Sequence, residues 1–238
     1  MTRWGLGLAA LMCLTPPGSR AQGGVGGGGG GARVTGHVTI LEKGNKPSPD
    51  LGDAVIFVEG PGPAARPATA EIFIRDKAYA PHVVVVPLGS TVRFPNLDPF
   101  NHNVFSVSEP GQFDLGLYGR GEAKAHTFTA AGLVRVFCNV HPRMVAYVVV
   151  MAKRWYAQPA GDGAFMIADV PAGRYKLHVW HERVATELMK DITVTPGGEG
   201  GGGAVDLQIT LNARGYKWEP HKNKYGQDYP TNAGLERY

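Results

Sequence analysis

The 238-residue chain carries 24 lysines and arginines against 20 acids, a formal charge of +4. That surplus is too small to point to nucleic acid. Its 34 glycines are high for a globular protein, but they concentrate in two runs, GGVGGGGGG at 23–31 and GGEGGGG at 197–203, which act as spacers and build no core.

The N-terminus reads MTRWGLGLAALMCLTPPGSRAQGG: Arg3, an apolar stretch from Trp4 to Leu14, then a Pro/Gly break and Ser19-Arg20-Ala21. This is the order of a secretory signal peptide, with cleavage expected after Ala21. The apolar stretch is too short to span a bilayer, and no later segment is long and apolar enough. Met12, before Cys13, is larger than the residue a lipidated cysteine usually follows. Loss of 1–21 removes Arg3 and Arg20 and no acid, so +4 falls to +2. It also leaves Cys138 as the one cysteine of the mature chain. An exported chain with one cysteine has no internal disulfide. Its thiol is buried and inert, paired with another chain, or a metal ligand.

Beyond a Gly-rich linker at 22–32, helical periodicity is nearly absent. Short β-branched runs recur between Gly, Pro, Asn and Asp clusters, from RVTGHVTI and AVIFVEG through HVVVVPLG, STVRFPN, HNVFSV and LVRVFC to AYVVVM, RYKLHVW and VDLQITL. This pattern predicts an all-β chain, with more strands than one small sandwich uses. The stretch 67–152 reads as one unit. In LVRVFC, Val134, Val136 and Cys138 share a face, which aims Cys138 inward at a strand end. The flanks, 33–66 and 153–212, read as a second sandwich split by the middle unit; two independent modules in series are the alternative. An aromatic and basic tail, 213–238, closes the chain and is expected to pack across a sandwich or stay partly disordered.

Cys138, His141 and Met144 fall in CNVHPRM. A thiolate, an imidazole and a thioether in one short loop are soft or borderline donors that suit copper better than zinc, magnesium or calcium. An electron-transfer copper site needs a second histidine. His102, in FPNLDPFNHNVFS, supplies it from a separate loop running into a strand. Each residue alone has a plainer reading: an inert core thiol, a loop histidine, a core methionine, a turn histidine. Their joint spacing favours the four-ligand site. Among the other histidines, His82 reads as structural and His126 as strand surface. His178 and His181, flanking Trp180, are a weak second metal pair for which packing or hydrogen bonding is favoured. His37 and His221 show no partners.

With C-x-x-H-x-x-M at 138–144 and N-x-x-x-x-x-H-N-V at 96–104, the middle unit resembles cupredoxins of the amicyanin and plastocyanin type. DGAFMIADVPAGRYKLHVW at 162–180, with GHV at 36–38, KPSPD at 46–50 and AVIFVEG at 54–60, resembles carboxypeptidase regulatory-like, transthyretin-like domains. The combination resembles bacterial proteins labelled methylamine-utilisation or plastocyanin-like; methylamine chemistry is not carried over. The resemblance implies a cupredoxin Greek-key β-sandwich plus a second, smaller Ig/transthyretin-like β-sandwich. It implies one type 1 copper held by His102, Cys138 and His141, with Met144 axial. The Asn103 amide would hydrogen-bond the Cys138 sulfur, and His141 would offer its ring edge to solvent or to a redox partner. Pro99, Phe100 and Pro142, with Met144, would frame an apolar docking patch. The expected function is that of an exported, periplasmic or secreted, non-enzymatic one-electron carrier without nucleic-acid partners. Envelope copper binding or delivery is the first alternative, and a structural or adhesion module with a vestigial site the second.

Overall fold

The computed structural model describes residues 31–195 and 204–230. The leader at 1–21, nearly all of the 22–32 linker, the glycine run at 197–203 and the end of the tail lie outside the described residues. Two strands open the chain, β1 (Ala32–Leu41) and β2 (Val55–Glu59). Next come β3 (Thr69–Glu71), the pair β4 (Phe73–Arg75) and β5 (Ala78–Ala80), then β6 (Val83–Pro87), β7 (Thr91–Pro95) and β8 (His102–Ser106). β9 (Phe113–Tyr118), β10 (Ala123–Thr127), β11 (Gly132–Phe137) and β12 (Val145–Met151) follow. β13 (Tyr156–Ala157), β14 (Ala164–Val170), β15 (Gly173–Trp180), β16 (Leu188–Val194) and β17 (Ala204–Asn212) complete the order. Two short 3-10 turns are the only helical elements among the described residues. The protein is all-β, as the β-branched runs predict.

Apolar side chains gather in three clusters. One draws on residues 32–58 and 155–213, with Val34, Ile40, Ile56, Leu177 and Leu211 buried between the sheet β14-β1-β17 and the sheet β13-β2-β15-β16. A second is built from residues 72–150, including Ile74, Phe94, Val104, Phe128 and Val148. It fills the space between the five-stranded sheet β6-β12-β11-β8-β9 and the three-stranded sheet β10-β7-β3. A third, smaller cluster joins them: Val55 and Trp180 pack with Val83, Tyr147 and Val149. The strands β6 and β12 are therefore apolar on both faces, which is why HVVVVPLG and AYVVVM read as unbroken runs rather than as alternations.

Two features aim the candidate donors. Along β11, Val134 and Val136 are buried, Arg135 is exposed, and Cys138 follows one step beyond the strand on the buried side. β8 pairs with β11 at Phe105↔Phe137, so the start of one strand and the end of the other lie at the same edge of the sheet. His102, the first residue of β8, and Cys138 are brought together by this antiparallel register.

Beside the apolar seam, His82 Nε2 lies 2.9 Å from Glu182 Oε1. Burial alone would lower the His82 pKa, but Glu182 outweighs it and holds the imidazole above its ordinary value. Burial alone would raise Glu182, and His82 in turn holds that carboxyl below its ordinary range. The raised His82 contributes stability that is complete below its unfolded pKa and lost as pH rises through the folded one. The lowered Glu182 contributes stability present above its unfolded pKa and lost as pH falls through the folded one. The pair is thus most stabilising at mildly acidic pH. Glu182→Gln should lower unfolding stability there by about 1.5–3 kcal/mol, read from urea midpoints. The difference from wild type should shrink as pH rises through the imidazole range, and a constant difference would exclude this linkage.

Candidate metal centre

His102, Cys138 and His141 converge in the interior with their donor atoms within 4.8 Å of one another. The Cys138 sulfur lies 3.7 Å from His102 Nδ1 and 3.8 Å from His141 Nδ1. His102 and Cys138 are 0% exposed, Met144 1% and His141 6%. Met144 follows on the same loop, which is folded back on itself by the Met144 N–H donating to the His141 carbonyl at 3.1 Å. The Cys138 N–H donates to the Met144 carbonyl at 3.3 Å. The loop that carries three of the four predicted ligands is therefore closed by its own backbone.

His102 is fixed from behind. Its Nε2 faces Asp98 Oδ2 at 2.8 Å, which leaves Nδ1 and its lone pair toward the sulfur. Asp98 accepts the backbone N–H groups of Asp76 at 2.7 Å and Lys77 at 3.0 Å. Those amides are presented by the β4–β5 turn, where Asp76 and Lys77 both take positive φ, 54° and 57°. A turn with two such residues curls its N–H groups into a nest for an anion. Burial would raise Asp98, but these donors and the His102 ring outweigh it and hold its carboxyl below the ordinary range. Burial pushes the His102 imidazole down, against the pull of Asp98. The ring is therefore neutral near pH 7, the state a ligand requires. Asn96, fully buried, organises the same loop. Its Nδ2 donates to the carbonyls of Phe100 at 2.9 Å and Tyr118 at 3.1 Å, and its Oδ1 accepts the Asp98 N–H at 3.0 Å.

The sulfur is held by amides. The Val140 N–H points at it from 3.4 Å. Burial pushes the Cys138 thiol up, while the backbone amides of Asn103, Val140 and His141 pull it back toward the thiolate. Beneath the site, Tyr79 Oη lies 3.1 Å from both the Asn103 and the Phe137 carbonyls, tying the β8 and β11 ends together.

The donor set fits a soft or borderline cation. Metal bonds of about 2.3 Å to sulfur and about 2.0 Å to imidazole nitrogen, at about 120°, span the two sulfur–nitrogen separations of 3.7 and 3.8 Å. A near-trigonal His₂Cys set is the arrangement for copper.

One expectation is corrected. The ring edge of His141 is not offered to solvent. Phe100 leans on it with ring centroids 5.8 Å apart and on His102 at 5.1 Å, and little of His141 remains open. Met144 is likewise absent from the surface, so of the expected apolar rim only Pro99 is fully exposed, with Phe100 and Pro142 half-buried. His178 and His181 do not form a metal pair. His178 stacks on Phe57 and faces Glu59 and Glu187, each at 3.0 Å. His181 is buried, its Nδ1 accepting the Arg183 N–H at 3.2 Å.

Sequence reasoning missed Asp98, Tyr79 and the tail residues His221 and Tyr229, and placed Asn96 in a motif without a role. Asp98 had a usable signal: a metal-bound histidine nearly always gives its second N–H to a carboxylate or carbonyl, and Asp98 lies four residues before His102. The Tyr229 hydroxyl donates to the Cys138 carbonyl at 2.8 Å, and His221 stacks on Phe137 with centroids 4.4 Å apart. No local pattern announces either.

Asp98→Ala should weaken metal binding roughly 10- to 100-fold, measured by chelator competition on protein with an unchanged circular dichroism spectrum. Asp98→Asn, which keeps an acceptor, should retain most of the affinity. Wild-type affinity in Asp98→Ala would rule out the supporting role.

No protein-family model matches the chain, and no curated protein matches it. Among solved structures, a purple cupredoxin from Nitrosopumilus maritimus is 28% identical over 34% of this chain and 99% of its own, with a TM-score of 0.32. Amicyanin from Paracoccus versutus is 29% identical over 40% of this chain and 97% of its own, with a TM-score of 0.33. A copper-containing nitrite reductase from Thermus scotoductus is 27% identical over 40% of this chain but only 25% of its own, with a TM-score of 0.34. The solved structures most similar to part of this chain thus include cupredoxins.

Proposed function

We propose that this chain binds one copper ion at His102, Cys138 and His141, with Met144 as a weak fourth ligand, and serves as a one-electron carrier. The observation that carries this reading is the buried imidazole–thiol–imidazole set, with both Nδ1 atoms turned to one sulfur. A bound copper would supply a Cu(II)/Cu(I) couple. The residues supply the rest. Neutral imidazoles and a thiolate serve both oxidation states. Burial keeps water from the donors, and the Asp98, Val140 and Met144 hydrogen bonds hold them in one arrangement, so little has to move when charge changes. A delivery protein must release its metal and is better served by an exposed site; these donors are enclosed. Zinc is disfavoured by the single thiol and the neighbouring thioether, and by its lower place in the affinity order.

The leader-like N-terminus supports export to the periplasm or beyond. A redox protein is the partner class that such a site requires, and no described helix is long and apolar enough to cross a membrane.

Stoichiometric Cu(II) added to the purified protein should produce an intense visible thiolate-to-copper absorption band, bleached by ascorbate. Cys138→Ser should abolish the band with the fold retained. A colourless Cu(II) complex in the wild type would overturn the carrier reading.

A further inference from the structure

The tail returns to the metal end and is built against it. Asn223 closes residues 223–227 into a tight loop. Its Oδ1 accepts the N–H groups of Tyr225 at 2.9 Å and Gln227 at 3.0 Å, and its own N–H donates to the Gln227 carbonyl at 2.9 Å. Three contacts fasten this segment to the end of β11. Tyr229 Oη donates to the Cys138 carbonyl at 2.8 Å, the Lys224 N–H donates to Asn139 Oδ1 at 2.9 Å, and His221 stacks on Phe137 at an interplanar angle of 25°. A fourth reaches the other donor strand. Lys224 Nζ lies 2.6 Å from Asp114 Oδ2, and Asp114 Oδ1 accepts from Asn103 Nδ2 at 2.7 Å. Asn103 directly follows His102, and its own amide leans on the Cys138 sulfur.

These contacts have a specific mechanical result. The peptide before Cys138 is tied through its N–H to the Met144 carbonyl, and the peptide after it through its C=O to Tyr229. With both flanking peptides held, the direction of the Cα–Cβ bond is fixed, which leaves the sulfur one torsion, and the Val140 N–H meets it there at 3.4 Å. Lys224 adds a charge effect. It balances the Asp114 carboxylate, which would otherwise stand as a bare anion behind Asn103.

We propose that the C-terminal segment 221–229 is a working part of the metal centre, with Tyr229 a positioning residue for Cys138 and Lys224 the cation that sets the local charge. The second half of this proposal rests on the copper reading. The first does not, because Tyr229 acts on the apoprotein as well. Removing Lys224 leaves net negative charge near the site, which favours the more positive, oxidised metal and lowers the reduction potential. Because Lys224 and Asp114 are near the surface, the shift is screened by salt.

The test uses the full-length chain and the variants Tyr229→Phe, Lys224→Met and Lys224→Arg. In the apoprotein, the rate of Cys138 alkylation by iodoacetamide should rise about two- to tenfold in Tyr229→Phe, the factor equivalent to one net hydrogen bond. In the copper-loaded protein, Lys224→Met should lower the midpoint potential at low salt. That difference should shrink in concentrated salt, and Lys224→Arg should restore the wild-type value. A merely structural contact would not give a salt-screened potential rescued by charge. Wild-type alkylation in Tyr229→Phe would overturn the positioning role, and a wild-type potential in Lys224→Met would overturn the charge role. If wild-type protein shows no visible copper band while Tyr229→Phe is alkylated faster, the copper reading fails and the clasp on Cys138 stands.

Discussion

Three donor atoms sit within 4.8 Å of one another in an interior that admits almost no water, and that arrangement makes demands on everything around it. Buried polar groups are expensive unless each is given a partner. Around His102 and Cys138 that demand is met in layers. Asp98 takes the far nitrogen of His102, and the Asp76 and Lys77 amides take Asp98. The left-handed turn that presents those amides is worth its strain because it stabilises a buried carboxylate. The sulfur has backbone amides instead of a charged partner.

The layers explain why the site lies at the end of a sheet and not within it. A mid-strand residue spends its backbone groups on the ladder, whereas Cys138, one step beyond β11, has its N–H and C=O free for Met144 and Tyr229. The sheet contributes rigidity from behind. The face of β6 and β12 away from this core is not left to solvent but packs through Val83, Tyr147 and Val149 on Val55 and Trp180. The donor strands thus belong to a sheet whose β6–β12 part is covered on both sides.

Much of this was legible in the sequence, for reasons that can be named. The inward aim of Cys138 follows from the period of a strand, since Val134 and Val136 set the phase. The choice of His102 to complete CNVHPRM needed only soft-donor chemistry and a separate loop running into a strand. The partners of the ligands were harder. Asp98 is local and could have been sought by asking what holds the second nitrogen of His102. The burial of His141 was misjudged because a loop histidine reads as exposed until the Phe100 ring from another loop is laid on it. Tyr229 lies 91 residues from Cys138. A hydrogen bond between two loops that far apart leaves no periodicity and no motif, and only the folded chain reveals it.

The longest strand pairing among the described residues joins the first and the last of the described strands. β17 runs parallel to β1 over nine residue pairs, Arg33↔Ala204 to Leu41↔Asn212. Bringing strands about 170 positions apart into register is a slow, entropy-limited event. The middle strands, whose own contacts span shorter separations, have no need to wait for it. On a chain emerging N-terminus first, β1 must therefore remain without this neighbour until β17 has been made. The segment carrying Tyr229 comes after β17 and arrives later still. Assembly order thus leaves the Cys138 carbonyl without its Tyr229 partner after its own strand has been made.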